Sequence, residues 1–130
     1  MTLPLTDAYR AGACNIGPDE IARRRRIGHG MAAVTIALFG LALAADVPAC
    51  WRLALFAPAA ASAAGYLQAA TRFCAEYGWR GVFNFGEAGY RRTTSVADAA
   101  ARRADRAKAA QIGLGSGLIG LVVAVGAFLV

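Results

Sequence analysis

Charged side chains are missing from three long stretches of this sequence: residues 27–45, 53–70 and 111–130 hold no Asp, Glu, Lys or Arg. A water-exposed helix keeps a wet face, so its charges recur along its length. Complete segregation excludes an ordinary soluble domain and makes lipid the expected solvent of those stretches. Histidine is scarce too, with His29 alone, and lysine occurs only as Lys108. Three cysteines and one distant histidine fall short of the usual zinc ligand set, so no metal site is expected. Besides His29 the apolar stretches offer only scattered polar side chains such as Thr35, Ser62, Gln68 and Ser116. Without an intramembrane carboxylate, proton-coupled transport lacks its usual carrier. No complete catalytic constellation is present.

What the chain does have is apolar mass and arginine. Of its 130 residues 58% are hydrophobic, and all but one of the 14 basic side chains are arginines, for a net charge of +6. Residues 1–26 set five arginines against Asp7, Asp19 and Glu20, and residues 46–52 balance Asp46 with Arg52. Residues 71–110 carry eight basic groups against four acidic ones. A high pI can mark a nucleic-acid binder, but that requires a basic face on a soluble module and a recognition motif. Neither is found, so nucleic acid is not an expected partner, whereas membrane lipids are.

A bilayer core needs about 20 apolar residues in a helix, with roughly 17–25 tolerated. Residues 27–45 supply 19, residues 53–70 supply 18 and residues 111–130 supply 20. The expected fold is therefore all-α: an integral membrane protein with three transmembrane helices. The basic segment 1–26 and the basic loop 71–110 prefer the cytoplasm, and the neutral loop 46–52 is readily translocated. That gives an N-in, C-out topology in the bacterial inner membrane, the bacterial source being suggested by Ala- and Arg-rich usage. Arg23 to Arg26 before an apolar run could mimic a secretory signal, yet 26 residues are long for its basic region, so the first span is expected to be retained. Trp51 would lie at the outer interface. Trp79, with Tyr77, Phe83, Phe85 and Tyr90, would form an aromatic collar at the inner one. Arg23, Arg24, Arg25 and Arg26 fit a topology-setting role and contact with anionic headgroups.

Small residues prepare the helices for close packing. The second span carries Ala57, Ala59 to Ala61, Ser62, Ala63, Ala64 and Gly65, and the third carries the pairs Gly113 with Gly117 and Ser116 with Gly120. Such surfaces let backbones approach, either within the bundle or against another subunit or a second copy. Pro58 cannot donate to Ala54 and predicts a kink. Between spans two and three, Ser95 reads as a helix N-cap with Asp98 three residues on. Asp98 with Arg102, and Asp105 with Arg102, have the spacing of helical ion pairs. No Gly or Pro interrupts the chain from there to Gly113. One helix is thus expected to continue into the third span, projecting about three turns into the cytoplasm.

Two segments resemble a known pattern. Asn15-Ile16-Gly17-Pro18-Asp19-Glu20 with Arg24 and Gly28, and Pro58 and Gly65 followed by Phe73-Cys74-Ala75-Glu76-Tyr77, Gly81 and Asn84, are similar to the YgaP-like inner-membrane domain. The resemblance spans residues 14–84 and implies a two-span hairpin, found alone or fused to rhodanese sulfurtransferases. It departs at Ile21, where the family usually has arginine, and in the Gly81–Asn84 spacing; the third span has no counterpart. Asn15 to Pro18 suits a turn before a helix, with Pro18, Asp19 and Glu20 fitting its first turn. A second turn at Gly81–Asn84 would lie at the same face, the two capping one another with Glu20 on Arg72 or Arg80.

Three functional readings follow. The leading one is a non-catalytic accessory or scaffold subunit of a larger membrane complex. A second is a thiol-dependent sulfur or redox relay at Cys74, assisted by Cys14, with Arg72 and Arg80 favouring thiolate. Cys50, in the 46–52 loop, would lie across the bilayer from both. The third makes His29, between Gly28 and Gly30, an axial ligand to haem or chlorophyll.

Overall fold

The computed structural model describes residues 9–86 and 93–130, so Tyr90 of the expected collar lies outside the described residues. Helix α1 is Pro18–Ala44. Proline at its first position needs no N–H there, and Asp19 and Glu20 meet the positive end of its dipole. A short α2, Ala49–Arg52, leads through a 3-10 turn at Leu53–Leu55 into α3, Phe56–Thr71. Then come α4, Ala75–Arg80, the two-residue strands β1, Val82–Phe83, and β2, Thr94–Ser95, and α5, Ala99–Leu129. Three helical stretches are long and apolar enough to cross a membrane: Pro18–Ala44, Ala49–Thr71 with its 3-10 turn, and Ala99–Leu129.

That 3-10 turn lies just before Pro58, where a kink was expected. Ala54, the carbonyl that Pro58 leaves without its helical donor, lies inside the turn, where the tighter bonding pattern absorbs the loss.

Helix α3 is the centre of the bundle, with α1 packed on one side and α5 on the other. Both seams depend on a missing side chain. A Cβ on Gly65 would come within 2.6 Å of the Gly28 nitrogen and 2.7 Å of the Arg24 carbonyl oxygen. Beside this crossing the Ser62 hydroxyl donates to the Gly28 carbonyl at 2.8 Å. On the other seam a Cβ on Gly120 would meet the Ala60 methyl at 2.8 Å and the Phe56 carbonyl at 3.0 Å. Ala61 is only half-buried between the two seams.

The small residues of α5 therefore divide. Asp105, Ala109, Ile112, Ser116, Gly120, Ala124 and Ala127 are its buried residues, at steps of three and four, which mark one face of a helix. Gly113 and Gly117 stand one position out of phase, and a Cβ on either would meet nothing within 4 Å. Ser116 and Gly120 pack the bundle; Gly113 and Gly117 face outward.

Three expectations for the 71–110 region need correction. Ser95 is not an N-cap: Thr94–Ser95 pairs antiparallel with Val82–Phe83, which holds its backbone extended. Asp98 is the N-cap of α5, its carboxylate accepting from the Ala101 N–H at 3.0 Å. The carboxylate is thus drawn to backbone, and Arg102 turns instead to the Val96 carbonyl. The helix does run without a break into the third span, but its first turns do not project freely. They pack against α4, with Phe73, Ala109 and Ile112 forming a small buried core. At the opposite end, Arg52 donates to the Ala127 and Val130 carbonyls at 3.0 and 2.9 Å, a cation on the negative end of a helix.

Candidate functional site

The end of the bundle that holds Arg23 to Arg26 also holds the buried asparagines and the buried charged groups among the described residues. Asn15 and Asn84 are its fasteners, 0% and 2% exposed. The Asn15 side chain takes the Cys74 N–H at 2.7 Å and donates to the Cys74 carbonyl at 3.1 Å, closing both backbone groups of that residue. Its own carbonyl accepts the Asn84 N–H at 2.9 Å, and the Asn84 carbonyl accepts the Gly17 N–H at 2.9 Å. The segment before α1 and the segment after α4, expected as turns, are thereby joined edge to edge as extended backbone. Gly17 has no room for a side chain there, since a Cβ would approach the Phe85 carbonyl oxygen to 2.8 Å.

Under this junction lies a network of Glu20, Arg24, Cys74 and Tyr77. Glu20 is wholly buried. It is held by Arg24 at 2.9 Å, with Arg23 at 3.9 Å. The spacing is one helical turn, so α1 itself aims the pair. The expected partners Arg72 and Arg80 do not hold Glu20. Arg80 instead pairs with Glu76 at 3.4 Å, the nearer carboxylate on its own short helix. Arg24 also donates to the Cys74 sulfur at 2.9 Å and lies 5.6 Å from the centre of the Tyr77 ring. Arg24, and not Arg72 or Arg80, is thus the cation at Cys74. Burial, followed by the negative charge of Glu20 and then Cys74, pushes the Tyr77 phenol up to about 12.

The remaining candidates are placed as follows. Cys14 is half-buried, its sulfur 3.8 Å from the Ile16 carbonyl, while Cys74 is 1% exposed. Both flank Asn15, one in sequence and one through its hydrogen bonds, and both are free thiols. Cys50 is exposed within α2, at the other end of the molecule. His29 is exposed on α1, its Nδ1 2.6 Å from the Tyr66 hydroxyl and its ring edge-on to that tyrosine. Arg23 to Arg26 divide in role: Arg24 is buried in the network, Arg23 leans to Glu20, and Arg25 and Arg26 are exposed.

A second buried carboxylate had no signal in the sequence. Asp105, 0% exposed, accepts the Tyr9 hydroxyl and, at 2.7 Å, the Gly12 N–H. These bonds fasten residues 9–14 to α5. Burial first, and then the bond to Asp105, raises the Tyr9 phenol above its ordinary value. Spacing suggested Asp105 as a surface ion pair, because its partners lie more than ninety positions away. Among the described residues no group of three His, Cys, Asp or Glu side chains could hold a metal ion.

Comparison of the chain with protein-family models, with curated proteins and with solved structures found no match in any of the three.

Proposed function

We propose that this protein is a non-catalytic accessory or scaffold subunit of a larger complex in a bacterial inner membrane, with its arginine-rich end in the cytoplasm. One observation carries the reading: Cys74, the thiol that takes a hydrogen bond from an arginine, is sealed from solvent and committed to Arg24. A relay thiol must reach a partner thiol or persulfide, because exchange proceeds by direct attack of an accessible thiolate. Cys74 instead acts as a polarisable anchor for the guanidinium that neutralises buried Glu20. Surface for partners remains on the spans, where Gly113 and Gly117 leave α5 flat. Kinship with the YgaP-like domain belongs to the same proposal, supported by the joining of its two motif segments through Asn15 and Asn84.

The reading is tested by purification from native membranes in mild detergent, with co-purifying proteins identified by mass spectrometry. A stoichiometric membrane complex, kept by the Cys74→Ser variant, is the expected result. Recovery alone, with persulfide on Cys74 lost in Cys74→Ser, would overturn it in favour of the relay.

A further inference from the structure

Beside the Asn15 junction runs an open groove of about 970 Å³, floored by α1 and the end of α3. Arg10, Arg25 and Arg72 line it, each from a different segment: the loop before α1, the second turn of α1 and the residue that ends α3. Their apolar counterpart is Ile21 with Ala22 on α1 and Ala69 with Ala70 on α3. No acidic side chain is among the described residues that line it. The contrast with neighbouring arginines is plain. Arg24 and Arg23 hold Glu20, Arg80 holds Glu76 and Arg52 caps α5. Among the described residues Arg10, Arg25 and Arg72 enter no ion pair and converge on a groove. Arg72 does so at φ 55, a left-handed helix cap where glycine is the usual residue.

The position of the groove selects its ligand. Arg25 stands two residues before the uncharged run 27–45, and Arg72 two residues after the run 53–70. The cationic part therefore sits where the spans would leave the bilayer, and the alanine wall continues onto their apolar surface. We propose that this groove is a binding site for one anionic phospholipid, its phosphate held by Arg10, Arg25 and Arg72 and its acyl chain laid along Ala22, Ala69 and Ala70. The chemistry recognised is a phosphate ester, and the apolar wall assigns it to a lipid rather than to a soluble phosphate. The site needs only membrane insertion, and it stands independently of the accessory-subunit reading.

The test uses the full chain in a non-ionic detergent, titrated with phosphatidylglycerol, phosphatidylcholine or glycerol phosphate. Native mass spectrometry reads bound lipid. In a Cys50→Ser background, the rate of maleimide attack on Cys14, which also lines the groove, reads occupancy. Phosphatidylglycerol should give a one-to-one adduct and slow Cys14 labelling, and the other two should do neither. Each arginine near a bilayer surface is worth roughly a fivefold change in affinity for anionic lipid. Arg25→Gln with Arg72→Gln should therefore weaken binding by about twenty-five-fold on the same basis. Arg103→Gln, at an exposed arginine on α5 outside the groove, is the control and should leave the adduct and the labelling rate unchanged. Equal loss in Arg103→Gln would mean diffuse surface attraction and overturn the site. Equal binding of phosphatidylcholine would overturn the charge selection, and protection of Cys14 by glycerol phosphate alone would overturn the lipid assignment.

Discussion

The arginine-rich end and the apolar spans of this molecule are held together by different means. At the arginine-rich end, Asn15, Glu20, Arg24, Asn84 and Asp105 are buried, and their partners come from segments far apart in sequence. Along the spans there is almost none of this. Within α1 only Glu20, Arg24 and Gly28 are buried, so from residue 29 to its end no side chain of the helix is fully buried. Hydrophobic burial cannot drive helices together in lipid, where the surroundings are as apolar as leucine. Close backbone approach at Gly65 and Gly120 remains, and it fixes distance more than register. Directional bonds in the polar end supply the register, since a buried polar group tolerates few geometries.

The contrast is broken most severely at Gly65. Gly65→Leu forces side-chain atoms into the α1 backbone, which has nowhere to yield, and should cost about 3 kcal/mol or more. Thermal unfolding in detergent should show a large fall or failure to fold. Next comes the buried ion pair. Glu20→Gln leaves Arg24 buried without its counter-charge, a change that typically costs about 3–5 kcal/mol. Unchanged thermal stability would mean that water reaches the pair.

Alkali should probe the same end more gently. The Tyr77 phenol is raised to about 12 from an unfolded value of 10.0, and Tyr9 is raised in the same direction. Below pH 10 both states keep the proton and nothing changes. As pH rises from 10 to about 12, the unfolded tyrosines ionise first, so the folded state loses stability. Melting temperatures between pH 9 and pH 12 should fall, and Tyr77→Phe should flatten the fall. Smallest of all is Gly117→Leu, where a new side chain meets open space. The isolated chain should change by no more than about 0.5 kcal/mol, while a complex docked on that face should dissociate, as gel filtration of the native assembly would show.

Much of this architecture was legible from charge placement. Uncharged runs marked three spans because no buried or lipid-facing helix can scatter arginines freely, and the helices fall on those runs. Asn15-Ile16-Gly17-Pro18 and Gly81–Asn84 were readable as meeting at one face, but not as extended backbone: Ile16 bridges Asn84 and Val82–Phe83 is a strand, so the expected turn at 81–84 is confined to Gly81. Partners were not readable. Sequence proximity nominated Arg72 and Arg80 for Cys74, whereas the helical turn that pairs Arg24 with Glu20 also carries Arg24 to a sulfur fifty positions away. Ser95 had the chemistry of a cap, but its pairing with Val82 withdrew it and left the role to Asp98.

Sequence alone was enough to find the three stretches long and apolar enough to cross a membrane and the unbroken run of α5 into the third, since these depend on hydropathy, charge and local backbone preference. Only the tertiary structure decided which small residues face a neighbour, which carboxylates are buried and which arginines remain for a ligand. Those outcomes depend on helix phase and on contacts between distant segments: one step of phase separates Ser116, which packs, from Gly117, which does not.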